Sequence, residues 1–243
     1  MPETIVNTGP GAAIYSSLVL KIYDTWVLGF SNRWAWQCST DKVLLPFYRS
    51  CVGPRHLDVG VGTGYYLRHS DLHGVKNLAL LDLNQNSLRA AALRSGRADV
   101  ESLRGDVMQP LQIMQGKQFD SIALFYLLHC LPGSMADKQC VLRHLTPCLS
   151  ADGVLYGATI LGTAAGHRGI GRYLMNLYNR KGIFGNRDDT LEGLRQILAD
   201  QFEEVTISRH GQVALFTARK PSTTAAAAPS AAAGLASPVT PAH

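Results

Sequence analysis

Several absences narrow what this 243-residue chain can be. Its five cysteines (Cys38, Cys51, Cys130, Cys140 and Cys148) form no C-x-x-C pair and no zinc spacing, which sets aside zinc ribbons and thioredoxin-like chemistry. Their odd number and apolar neighbours read as reduced thiols of a cytoplasmic protein. Only 17% of the residues are charged, and the Lys and Arg behind the net charge of +5 are dispersed rather than clustered. A nucleic-acid footprint is therefore not expected. The opening Met1-Pro2-Glu3-Thr4 lacks the basic region of a signal peptide. The apolar stretch 12–30 contains Lys21 and Asp24, so it would cross a membrane poorly. Asp188 and Asp189 adjoin each other, but they read as a helix cap rather than an octahedral oxygen site, and no metal is expected.

The chain that remains is 46% hydrophobic and long enough for one α/β domain with additions. Tyr15, Val19, Ile22 and Trp26 recur at helical spacing, which predicts an amphipathic helix over 12–29. A second helix over 41–52 completes an N-terminal helical cap, residues 1–52. Between the two helices, Trp34 and Trp36 either wall a ligand crevice or seal the core. From residue 53 to 220, strands over 55–59, 77–82, 99–104, 119–126 and 153–160 alternate with helical stretches such as 86–96. Ser134 to Asp137 opens another helix with a capping-box pattern. Such alternation predicts a parallel, doubly wound sheet with right-handed crossovers. The rhythm breaks at 161–187, a glycine-rich and basic stretch with a helical centre over 172–180, read as a lid. A helix capped near Asp189-Thr190 follows. A hairpin of strands 204–208 and 212–219, turning at 209–211, ends the domain. Residues 221–243 hold no Asp, Glu, Lys, Arg or aromatic residue, the composition of a disordered tail.

The chemistry centres on Asp58-Val59-Gly60-Val61-Gly62-Thr63-Gly64. Alternating glycines let the chain turn without a Cβ in the way, so a ligand can approach the main chain and the following helix N-terminus. Asp58, Asp82 and Asp106 each close or follow one of the first three strands, and in a doubly wound sheet those ends share one crevice. Asp82 follows Gly60 at the distance where an acid meets ribose hydroxyls. A nicotinamide site would want G-x-G-x-x-G, whereas position 65 is Tyr and an acid precedes the turn. A carboxylate there suits a cationic, amino-acid-bearing cofactor, S-adenosylmethionine.

These residues, with Gly105-Asp106 downstream, resemble the class I S-adenosylmethionine-dependent methyltransferases over roughly residues 40–219. The resemblance implies a doubly wound, seven-stranded, mostly parallel sheet with a C-terminal antiparallel hairpin and helices on both faces. By position, Gly60, Gly62 and Gly64 would approach the methionyl part near Asp58. Asp82, with Leu83 beside it, would bind ribose, and Asp106 with Val107 would meet adenine. Tyr126 and His129 after the fourth strand would face cofactor and acceptor. No Asn/Asp-Pro-Pro-Tyr run stands at 125–132, so base or glutamine methylation is disfavoured. The compact chain with an aromatic N-terminal cap resembles enzymes that methylate small molecules in specialised metabolism, on a hydroxyl or carboxyl group. His129 is the first candidate general base and His167 the second; either can equally be structural. Tyr15, Tyr23, Trp34, Trp36 and Arg172 are the candidate acceptor-binding residues. Two other readings stay open: a protein that binds the cofactor without transferring methyl, and a nicotinamide oxidoreductase.

Overall fold

The computed structural model describes residues 31–222; the helix expected over 12–29, with Tyr15 and Tyr23, and the expected tail beyond Ser222 lie outside them, while Pro221, the tail's expected first residue, ends the last strand instead. Seven strands form the sheet: β1 Arg55–Val59, β2 Asn77–Asp82, β3 Val100–Arg104, β4 Phe119–Phe125, β5 Leu149–Ile160, β6 Phe202–His210 and β7 Val213–Pro221. Their order is β3-β2-β1-β4-β5-β7-β6. The first five run parallel, while β7 pairs antiparallel with both β5 and β6. Strand order reverses between β1 and β4, and the crevice outside their carboxyl ends is where open α/β sheets bind ligands.

Helices connect the strands: α1 Leu45–Cys51, α2 Tyr65–Arg68, α3 Gln85–Arg94, α4 Met135–Leu145, α5 Gly169–Arg180 and α6 Leu191–Ala199. Local chemistry sets their starts. Asn84 caps α3 by accepting from the Asn86 N–H, and Thr190 caps α6 by accepting from the Gly193 N–H. Ser134 and Asp137 make the full reciprocal capping box of α4. The helix expected over 41–52 is α1 preceded by a π-helical turn, Thr40–Leu44. Pro46 explains the change, because it has no N–H to continue an α ladder back to Lys42. The final hairpin turns at Gly211-Gln212 rather than 209–211, since Arg209 and His210 still pair with Ala214 and Val213. Gly211 takes the positive φ (+59°) that a tight two-residue turn needs at its first position.

Side chains alternate between two apolar clusters, one on each face of the sheet. Leu57, Val59, Leu81 and Leu124 enter one cluster. Leu78, Leu80, Phe125 and Tyr156 enter the other, together with Trp36, Tyr48 and Tyr66. Burial on both faces is why β2 and β4 read as nearly unbroken apolar runs. Among the described residues no helix is long and apolar enough to cross a membrane.

Candidate cofactor and acceptor site

The glycine turn sits at the carboxyl end of β1 and is shaped by what surrounds each glycine. A Cβ on Gly64 (φ +74°) would come within 2.5 Å of the Ala91 Cα, so this glycine lets α3 pack directly against the turn. A Cβ on Gly60 would meet Leu127 Cδ1 at 2.7 Å. Gly62 (φ +52°) differs, because its Cβ would find nothing within 4 Å. Gly62 lines a crevice of about 780 Å³, open mouth included.

Val59, Gly60, Gly62, Asp82, Leu83 and Ser87 line one part of this crevice, continuing to Gly105, Asp106 and Val107. Tyr126, Leu127, Cys130, Leu131, Pro132 and Ile183 line the other, largely apolar part. Asp82 braces the turn. Its Oδ1 accepts the Asn84 N–H at 2.8 Å and its Oδ2 accepts the Gly62 N–H at 3.4 Å. Burial raises its carboxyl above the ordinary range, while those backbone donors pull it back. Asp106 accepts the Met108 N–H at 2.9 Å. Tyr126 is a non-glycine residue held at φ +57°; its Oη donates to Asn32 Oδ1 at 2.9 Å, and Asn32 donates to Thr40 at 2.8 Å. Backbone strain of this kind marks a position the surroundings over-determine.

Asp58 stands just before the turn, facing the aromatic cluster and only 5% exposed. Tyr48 Oη donates to its Oδ2 at 2.9 Å. Burial pushes its carboxyl up to about 7; the Tyr48 hydrogen bond lowers it and the Asp82 charge raises it.

The fold thus brings Gly60, Gly62, Asp82, Leu83, Asp106, Val107 and Tyr126 together around one cavity. His129 does not line it. Its ring is buried edge-on to Tyr126 (5.3 Å) and Phe184 (4.7 Å), and Nδ1 accepts the Ile160 N–H at 3.3 Å. Burial, then the Lys138 charge, lowers it to about 3, so the ring is neutral. His167 is also buried away from the cavity, with Nε2 donating to the carbonyls of Leu161 (2.9 Å) and Gly162 (3.0 Å). Trp36 is fully buried against His167 and Phe184, whereas Trp34 and Arg172 are exposed outside the cavity. Cys130 reaches the cavity, but burial pushes its thiol up to about 12, leaving it inert.

Two features escaped the linear reading. One is the bond between Tyr48 and Asp58, from different elements. The other is a buried ion pair, Lys138 Nζ to Asp189 Oδ2 at 2.6 Å, that ties α4 to the segment before α6. Lys138 also donates to the Gly185 carbonyl at 3.0 Å, and the Gly185 N–H donates to the His129 carbonyl at 2.9 Å. Together these fasten residues 183–189, whose Ile183 walls the cavity, against the loop after β4. A Lys directly after a Ser-x-x-Asp cap was visible, but nothing local pairs it with Asp189.

A sheet of this order, with a glycine turn after β1 and acids after β2 and β3, defines a class I S-adenosylmethionine-dependent methyltransferase. Residues 57–155 match the methyltransferase-domain family. The chain is 42% identical over 221 residues to the physcion biosynthesis cluster O-methyltransferase of Aspergillus chevalieri, covering 91% of this chain and 99% of that one. It is 36% identical over 209 residues to demethylluteothin O-methyltransferase of Streptomyces thioluteus, covering 86% and 90% respectively. The crystal structure of N-methyltransferase NodS from Bradyrhizobium japonicum WM9 with S-adenosyl-L-homocysteine shares its fold. The TM-score is 0.59 at 15% identity, over 84% of this chain and 98% of that one. The protein belongs to the methyltransferase family, and its cofactor is S-adenosylmethionine. The open side of Gly62, the carboxylate of Asp82 and the apolar flanks Leu83 and Val107 suit that ligand's mixed polar and apolar surface.

Proposed function

We propose that this protein methylates an oxygen, in a hydroxyl or carboxyl group, on a largely apolar small molecule of specialised metabolism. The observation that carries this reading is the division of the cavity. Carboxylates and glycine backbone occupy one part, and Tyr126, Leu127, Leu131, Pro132 and Ile183 make the other apolar. Two relatives named as O-methyltransferases support the choice of oxygen.

In this reading the glycine turn meets the methionyl part of the cofactor, with Asp58 behind it. Asp82, flanked by Leu83, accepts hydrogen bonds from the ribose, and Asp106 with Val107 meets adenine. S-adenosylmethionine supplies an electrophilic methyl group when bound. The chain's contribution is to hold acceptor and donor in line and to exclude water, which converts a bimolecular displacement into an effectively intramolecular one. Tyr126, fixed by Asn32, forms the boundary between the two parts. His129 and His167 act as scaffold rather than as bases, because each spends a ring nitrogen on the backbone and neither lines the cavity; the acceptor therefore enters already ionised, as a phenolate or carboxylate, and its oxygen bonds to the methyl carbon as S-adenosylhomocysteine leaves. Residues 161–187, with Trp34 and Arg172 at the surface, shape the acceptor's approach.

Incubation with a deuterated methyl donor and a panel of phenolic and carboxylic acceptors, followed by mass spectrometry, tests the reading. Labelled O-methyl product is expected. Asp82→Ala should weaken cofactor binding more than about tenfold, the loss of charge-assisted hydrogen bonds. Acceptor turnover without label in the product would overturn methyl transfer in favour of a cofactor-binding protein with another chemistry.

A further inference from the structure

Tyr48, His56, Asp58 and Ser121 form a continuous hydrogen-bonded chain beneath the cofactor turn. His56 and Asp58 lie two residues apart on β1 and so share one face of the sheet. Ser121 sits beside them on β4, and Tyr48 reaches down from α1. Tyr48 Oη lies 2.9 Å from Asp58 Oδ2 and 3.0 Å from His56 Nε2. His56 Nδ1 lies 2.8 Å from Ser121 Oγ, which also accepts the Gly53 N–H at 2.8 Å. None of the four residues is more than 5% exposed.

Counting protons gives the chain a direction. A carboxylate only accepts, and a phenol has one proton to donate. Tyr48 spends that proton on Asp58 Oδ2, so the chain points at the carboxylate. Burial lowers His56 to about 3, with a hydrogen bond to the Ser121 backbone opposing it, so the ring held between Tyr48 and Ser121 is neutral. The Tyr48 ring is stacked on Tyr66 (5.3 Å, 21° between planes) and set edge-on to Phe125 (5.0 Å), which fixes its orientation.

We propose that Tyr48, backed by His56, is a positioning residue for the cofactor. It orients Asp58 and favours its carboxylate form, the anion that the cationic methionyl end of S-adenosylmethionine requires. This rests on the assignment of the glycine turn to that end of the cofactor. The chain itself joins Asp58 to the site: Asp58 lies behind the cavity wall, and Val59 and Gly60, which follow it directly, line the cavity.

The consequence is a coupling between cofactor binding and pH. Among the described residues, the titratable groups around Asp58 are Tyr48 from α1, His56 on its own strand, Asp82 from β2 and Tyr156 from β5, with Tyr66 of α2 stacked on Tyr48. The tyrosines and His56 are uncharged near neutrality, so Asp58 is the member whose charge changes there. Its carboxyl stands at about 7. Affinity then rises with pH through that region and levels above it. Losing the Tyr48 hydrogen bond raises the Asp58 carboxyl further, so the rising limb moves to higher pH.

Titration calorimetry of the full chain with S-adenosylhomocysteine, which keeps the ammonium group, between pH 6 and 9 tests this. Tyr48→Phe should bind about tenfold more weakly at pH 7, the loss of one hydrogen bond to a charged group, with the deficit closing toward pH 9. Asp58→Asn should abolish the rising limb. Tyr156→Phe, in the same aromatic cluster but with a hydroxyl that has no hydrogen-bond partner among the described residues, should keep the wild-type profile. Each variant is compared with wild type at the same pH, so loss of the ligand's own α-ammonium proton is common to all the profiles. A Tyr48→Phe profile parallel to wild type overturns the positioning role. Should that variant fail to fold, an Asp58→Asn protein that retains the acid limb overturns it equally. Unchanged binding by Asp82→Ala would instead defeat the site assignment, a separate outcome.

Discussion

Replacing Lys138 by Met would leave the Asp189 carboxylate without its counter-charge inside the protein. The two side chains are 0% and 2% exposed, and the amino group lies 2.6 Å from the carboxylate oxygen. Burial pushes Lys138 down and Asp189 up, each toward its neutral form, and the partner's charge opposes the change on both sides. Breaking a buried pair from one side costs about 3–5 kcal/mol, since desolvation remains and attraction is gone. An independent estimate agrees. Asp189 can escape by taking up a proton, and protonating a carboxyl of ordinary 3.8 at pH 7 costs about 4 kcal/mol. Loss of the donor to the Gly185 carbonyl adds about 1 kcal/mol. For a chain of this size the total, about 4–6 kcal/mol, corresponds to a Tm drop of roughly 8–24 °C.

The sign of the pH dependence follows from the same step. In Lys138→Met the native state holds a proton that the unfolded state releases above its ordinary carboxyl range, so the deficit shrinks as pH falls. It should ease by about 1.4 kcal/mol per pH unit between pH 7 and 5. Lys138→Met/Asp189→Leu, which removes both charges, should recover most of the loss. Urea denaturation at pH 7 and pH 5 reads all three proteins. A Lys138→Met protein that loses less than about 1 kcal/mol at pH 7, or as much at pH 5 as at pH 7, would refute the reasoning.

Two further outcomes are expected. Gly62→Ala should cost only about 1–2 kcal/mol in folding, the left-handed backbone penalty, because its Cβ meets nothing in the protein. Gly62 lines the cavity, so a methyl added there takes up space beside the cofactor and affinity should fall at least about tenfold by calorimetry; unchanged affinity would remove the turn from the site. His129, held neutral at about 3 against its ordinary 6.5, binds fewer protons folded than unfolded, so stability falls as pH drops through that window. His129→Asn should flatten this acid slope in a pH series of thermal melts, and an unaltered slope would show that the ring is not held neutral.

Much of the architecture was legible because its causes are local. Strand β1, strand β2 and the Ser134 capping box fall where the residue pattern alone puts them, and the alternation of strands and helices implied the parallel order. Strand lengths were less legible. β5 begins at Leu149, four residues before the expected start, since Leu149 pairs with Phe119 across a register irregularity that no pattern within β5 encodes. The histidines show the same division. Next to strand β4, His129 reads as a crevice residue, but the direction of its ring depends on Phe184 and the Ile160 N–H, which arrive from elsewhere in the chain.

What the sequence by itself determined is the family, the sheet and the cofactor of this methyltransferase. The glycine spacing, the acids after the first three strands and the strand–helix rhythm are short-range features, and the topology of a doubly wound sheet gathers them at one edge. What only the tertiary structure decided is which side chains share a buried space. Tyr48 meets Asp58, Lys138 meets Asp189 across 51 residues, Trp36 turns into the core and Trp34 out of it. Those pairings arise from the close packing of helices against a finished sheet, and no spacing rule along the chain contains that information.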